Sequence, residues 1–92
     1  RGENITMGQD LKEALDLCRG GRWDDAHKIV QKNDSNWAFW LHAIIHREEG
    51  DLSNARYWYS RAGRAFSKTT ITDELAHFEQ VLSKRNDIGD AE

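Results

Sequence analysis

Apolar residues recur every three or four positions along this chain, in five stretches separated by short polar or glycine-containing breaks. Leu11, Ala14, Leu15 and Cys18 share one face of a first helix, predicted near 6–19. Thr6 is placed to cap it, with Gln9 three residues on to complete a capping box. Gly20-Gly21 ends it, because glycine accepts the left-handed conformation of a helix C-cap. Trp23, Ala26, Ile29 and Val30 mark a second helix near 24–32, with Asp24 and Asp25 at its electropositive start. The polar run Lys32-Asn33-Asp34-Ser35 reads as a turn.

A third helix, near 36–49 and capped by Ser35 or Asn36, carries Trp37, Phe39, Trp40, Leu41, Ala43, Ile44 and Ile45. It is apolar on almost every face, so it is expected at the centre of the fold. Arg47-Glu48-Glu49 returns it to solvent and Gly50 ends it. A fourth helix near 53–66, opened by Asp51 or Ser53, carries Leu52, Ala55, Trp58, Tyr59, Ala62 and Phe66. A fifth near 72–86, capped by Thr70 or Thr72, has Leu75, Phe78, Val81 and Leu82 as its stripe. Asp73 and Glu74 in its first turn, and Lys84 and Arg85 in its last, suit the helix dipole. The polar tail beyond Asn86 is expected to fray. No alternating run predicts a strand, so the class is all-α, a single domain over 1–92.

A short segment occurs twice. Gly21-Arg22-Trp23-Asp24-Asp25-Ala26 is matched by Gly50-Asp51-Leu52-Ser53-Asn54-Ala55, 29 residues later. Ala14 and Ala43 stand seven residues before their glycines. In each unit the small residue lets two helices cross closely and the glycine permits the sharp turn between them. Neither hairpin buries its apolar face alone, so the two are expected to stack, with the fifth helix as a cap.

These residues resemble a tetratricopeptide repeat, best over Phe39 to Ala62 through Ala43, Gly50-Asp51-Leu52, Ala55, Tyr59 and Ala62. Leu11 to Val30 matches through Ala14, Leu17, Gly21, Trp23, Ala26 and Val30. The stretch from Trp40 to Gly63 also looks similar to a group of short helical bacterial and fungal proteins of unknown function. The tetratricopeptide resemblance implies a protein-interaction or scaffolding module that binds a peptide or helix on its inner face. On that register Trp37, Trp40, Ile44 and Arg47 line the inner face of the third helix and are the candidate partner contacts. Leu11, Leu15 and Cys18 take the matching positions of the first helix. The competing reading is that the fifth helix crosses this face and makes it core. A homodimer closed by the same face is a further possibility. No clear basic set is present to clamp a peptide's terminal carboxylate.

Composition narrows the classes. The net charge of -3 argues against nucleic acid, which selects a basic stripe. The local cluster Arg56, Arg61, Arg64 and Lys68 sits at a helix end, where cations are favoured anyway. One cysteine excludes an internal disulfide, and a cytoplasmic setting is the default. The N-terminus lacks the apolar stretch of a signal peptide, and no apolar run approaches the roughly 20 residues a membrane span needs.

Candidate chemistry is sparse. His42 and His46 lie four apart on one helix face, with Glu49 one turn on. Imidazoles at this spacing can share a divalent metal, giving an alternative reading as a metal- or small-ligand-binding helical protein. His27 or His77 would supply a third ligand only if the fold brought one close. The bland reading is two histidines hydrogen-bonded beside aromatic residues such as Tyr57 or Tyr59. Arg19-Gly20-Gly21-Arg22 resembles an RNA-binding element, but a helix C-cap explains both glycines. No phosphate loop, zinc ribbon or nucleophile elbow is present, and Cys18 reads as a small apolar residue. The expectation is therefore a non-enzyme without a cofactor.

Overall fold

The computed structural model describes residues 7–91, with side chains from 9 to 84. Within that span the chain forms five helices and no strand: α1 Met7–Arg19, α2 Trp23–Val30, α3 Asn36–Glu48, α4 Leu52–Ala62 and α5 Ile71–Ala91. Thr6, expected to cap α1, lies outside the described residues.

The repeated segment makes the same turn twice. At the first, Gly21 has φ 79°. Its N–H donates to the Cys18 carbonyl and the Arg22 N–H to the Leu17 carbonyl. At the second, Gly50 has φ 82°, and the Gly50 and Asp51 N–H groups donate to the Arg47 and His46 carbonyls. These are paired C-terminal caps that satisfy orphan helix carbonyls, and they fold α1 onto α2 and α3 onto α4. Between the hairpins, the Ser35 hydroxyl caps α3 by accepting from the Ala38 N–H at 3.1 Å. The Thr70 hydroxyl caps α5 by accepting from the Asp73 N–H at 3.1 Å.

α3 is the centre, packing against all four other helices. Ala38, Leu41, Ala43, Ile44 and Ile45 are fully buried. Ala14 and Ala43, the matched small residues, both have no exposed surface, which is what close helix crossings require. α5 lies against α1 and α3, covering the first helix of each hairpin with Leu75, Phe78 and Leu82.

Two helix ends differ from the sequence expectation. α4 stops at Ala62 and not at 66. Gly63, at φ 73°, makes a third cap of the same kind, and Phe66 returns over the Tyr59 ring at 5.3 Å. The apolar stripe thus continues through a folded-back connector, with no further helical turn. α5 continues to Ala91, past the expected end near 86. Lys84 is therefore not in its last turn, and no proline interrupts the polar extension.

Candidate functional site

The inner face of α3 is a closed seam. Ile44 is fully buried and Trp40 is 2 % exposed. Trp37 is half-buried, with its ring 6.0 Å from Phe78 of α5. Arg47 extends along the same seam to Glu74, donating from Nη2 to Oε1 at 2.6 Å. Glu74 is itself only 4 % exposed. The Trp40 indole N–H donates to Oε2 at 2.9 Å, and the Tyr59 hydroxyl donates to both oxygens at 2.7 and 2.8 Å. Arg47 Nε also donates to the Tyr59 oxygen at 3.3 Å. The carboxylate is thus fully engaged by donors from α3 and α4. Burial first, and then the Glu74 carboxylate, push the Tyr59 hydroxyl well above its usual pKa. Of the four residues expected to meet a partner, Ile44, Trp40 and Arg47 are therefore occupied by α5 and α4, and Trp37 contributes to the same seam. Leu11, Leu15 and Cys18 of α1 are buried as well.

The seam opens at one end into a cleft of about 530 Å³ between the α4–α5 connector and α5. Trp40, Arg64, Ser67, Asp73, Glu74 and His77 line it. The Arg64 guanidinium covers the Trp40 ring at 3.6 Å and His77 stands at its edge, 5.6 Å away.

The basic cluster of α4 has a specific arrangement. Arg56 lies over Phe66 at 4.9 Å, and Arg61 lies over Phe39 at 4.8 Å and near Trp58 and Tyr57. Each cation sits on an aromatic face, a contact worth about 0.5–1 kcal/mol at an exposed position. Tyr57 and Leu52 of α4 are the exposed large apolar residues among those described. Tyr57 is edge-on to Trp58, accepts from Arg61 at 3.1 Å, and is about half exposed.

A second cluster joins the two hairpins. The four-residue spacing on α3 puts His42 and His46 on one face, with ring centroids 4.9 Å apart. The packing of α2 on α3 brings His27 to them, its Nε2 standing 2.9 Å from His42 Nε2. One ring nitrogen from each of the three lies within 4.8 Å of the others. His77 is elsewhere, in the cleft. His42 is 4 % exposed and stacks on Trp58 at 4.0 Å with a 12° interplanar angle, so the aromatic residue beside it is Trp58 where Tyr57 or Tyr59 was expected. Its Nδ1 is buried with no hydrogen-bond partner. His46 Nδ1 is held by Glu49 at 3.1 Å, with Asp51 at 3.9 Å. Burial, followed by the charges of His27 and His46, lowers the His42 pKa to about 3. Burial is also the largest cause that lowers His27.

The remaining candidates behave as structure. Arg19 pairs with Glu79 across α1 and α5 at 2.8 Å, and Arg22 pairs with Asp25. Burial pushes the Cys18 thiol up to about 12, which leaves it protonated and unreactive. Among the described residues no helix is long and apolar enough to cross a membrane.

Sequence reasoning missed Glu74, read only as a first-turn acid, and left the third histidine open between His27 and His77. Glu74 had a readable signal: positions 74, 78 and 82 form one i, i+4 row with Phe78 and Leu82, so its side chain belongs to the buried stripe. Nothing in the sequence chose His27 over His77, because its approach depends on how α2 meets α3. Compared with known proteins, the chain matches no family model, no curated protein and no solved structure.

Proposed function

We propose that the protein is a small helical-repeat module that holds a protein or peptide partner, on the outer aromatic face of α3 and α4. The observation that carries this reading is the exposed pair Tyr57 and Arg61, seated on the partly buried rings of Trp58 and Phe39, with exposed Leu52 on the same helix. The backbone of α4 packs closely on α3 alone, and α4 meets α5 through Tyr59 and Glu74, so among the described residues no helix backbone lies against the side of α4 that carries Tyr57 and Arg61. Trp, Tyr and Arg are the residue types that most often dominate binding energy at interfaces. Arg61, already ordered by three rings, loses little freedom when a carboxylate pairs with it. The partner expected is an apolar segment carrying an acidic residue.

The test compares the wild type with Tyr57→Ala/Arg61→Glu in affinity capture, read by mass spectrometry. A partner lost by the variant, while its helical melt stays within a few degrees of wild type, supports the reading. Capture that is indifferent to both substitutions would place the contact elsewhere and end it. A concentration-dependent dimer by light scattering, broken by the same substitutions, would assign the face to a second copy of the chain.

A further inference from the structure

The geometry points to a second site, independent of the outer face: we infer that His27, His42 and His46 form a three-histidine site for a zinc-class divalent ion, joining the two hairpins. Three features of the cluster carry this.

The first is convergence. Two of the ligands come from one turn of α3 and the third from α2, and their nitrogens all lie within 4.8 Å. A tetrahedral ion with metal–nitrogen bonds of about 2.0–2.1 Å holds its ligands roughly 3.4 Å apart. Reaching that spacing requires the half-buried His27 and His46 rings to turn, with the His27–His42 nitrogen pair widening from 2.9 Å.

The second is a close pair of ring nitrogens, which form a hydrogen bond in one tautomer and offer two lone pairs to a cation in the other. Nε2 of His27 and Nε2 of His42 face each other at 2.9 Å. Both cannot be bare, and both cannot carry a proton, at that distance. A single shared proton or a single cation must lie between them. The shared proton serves that pair alone and gives His46 no part. A metal ion serves all three rings at once.

The third is the outer shell. Glu49 engages His46 Nδ1 at 3.1 Å, which leaves Nε2 as the nitrogen that His46 offers. A carboxylate behind a ligating imidazole fixes its tautomer and raises its basicity, the usual arrangement at protein zinc sites. Trp58, stacked flat on His42, fixes that ring from the other side.

The donor set chooses the ion. Three neutral nitrogens suit zinc and its neighbours, and not calcium or magnesium, which take oxygen. Three protein ligands leave a fourth position for water or an external donor. Since α2 and α3 belong to different hairpins, the ion would act as a clip across the seam between them.

The test uses the full chain without an affinity tag, stripped with chelator and titrated with Zn²⁺ by calorimetry and with Co²⁺ by visible absorption. The expected result is one equivalent bound, a tetrahedral cobalt spectrum, and a melting temperature that rises with Zn²⁺ and falls back with chelator. His42 is buried, so His27→Ala and His46→Ala are the informative variants, each checked for retained helix content. Either should weaken Zn²⁺ by more than the roughly 10–100-fold expected of the outer-shell change Glu49→Gln. His77→Ala should leave binding unchanged. Unsaturable or substoichiometric binding would overturn the assignment and leave a proton-sharing pair. So would affinity that is the same in folded His27→Ala and in wild type.

Discussion

Arg47 and Glu74 stand 27 residues apart in sequence, yet their charged groups meet at 2.6 Å inside the seam between α3 and α5. The Glu74 side chain is 4 % exposed and that of Arg47 13 %. A buried ion pair of this kind adds little net stability over an apolar pair of the same size, but breaking it leaves a charge without a partner. Its value here is geometric. Glu74 can satisfy Arg47, Trp40 and Tyr59 together only if α5 sits in one register on the hairpins.

Glu74→Ala should therefore be costly. It strands the Arg47 guanidinium, the Trp40 indole N–H and the Tyr59 hydroxyl at once, and a loss of about 3–5 kcal/mol is expected. Glu74→Gln keeps the shape and accepts some of the same bonds, so it should cost less. Urea unfolding of the two variants measures this. Equal and small losses would mean that water replaces the carboxylate and that the seam is not sealed.

Much of the fold was legible because it rests on local rules. The row Leu11, Ala14, Leu15, Cys18 and the all-round apolar α3 needed only helical spacing, and the repeated glycines marked both hairpin turns. The end of α4 departs from that spacing because Phe66 extends the apolar row in sequence, while Gly63 turns the chain first. The candidate site was legible only within one helix. Spacing paired His42 with His46, but His27 joins them through the packing of α2 on α3, which chain spacing does not encode. The same limit hid the fate of Trp40 and Ile44. An apolar stripe reads alike whether a partner or the chain's own fifth helix covers it.

The turn glycines should separate cleanly from their neighbour. Gly50 has φ 82° and open space where a Cβ would stand, so Gly50→Ala meets backbone strain and no clash. A cost of about 1–2 kcal/mol is expected. Gly20 has no such φ, and an added Cβ would make ordinary contacts at 3.6 Å and beyond. Gly20→Ala should be neutral or stabilise by about 0.4–1 kcal/mol, by limiting the unfolded chain. Thermal melts of the two variants decide it, and a stabilising Gly50→Ala would contradict the left-handed cap.

Cys18 should be silent in the native state. The residue is 2 % exposed and burial raises its thiol pKa to about 12. A disulfide exchange reagent should label it only as fast as the protein opens, and at the free-thiol rate in urea. Rapid labelling without denaturant would show that α1 detaches from the core on its own.

Acid should weaken the metal-free protein through His42. In the unfolded chain this imidazole takes its proton near 6.5, whereas in the folded state burial delays protonation to about 3. Between those values the unfolded state binds one more proton than the folded state, so stability falls as pH falls. Above about 6.5 both states are neutral at this position and the effect vanishes. His27 is lowered in the same direction and adds to the loss. Each proton taken up only by the unfolded state contributes a slope of about 1.4 kcal/mol per pH unit. Protonated carboxylates also act at the acid end of this range, so the control matters. His42→Phe, which can still stack on Trp58, should have a flatter profile between 6.5 and about 3 than wild type. Denaturant melts across that window in chelator test the point. Parallel profiles for the two proteins would show that His42 is hydrated in the folded state and titrates as it does in the open chain.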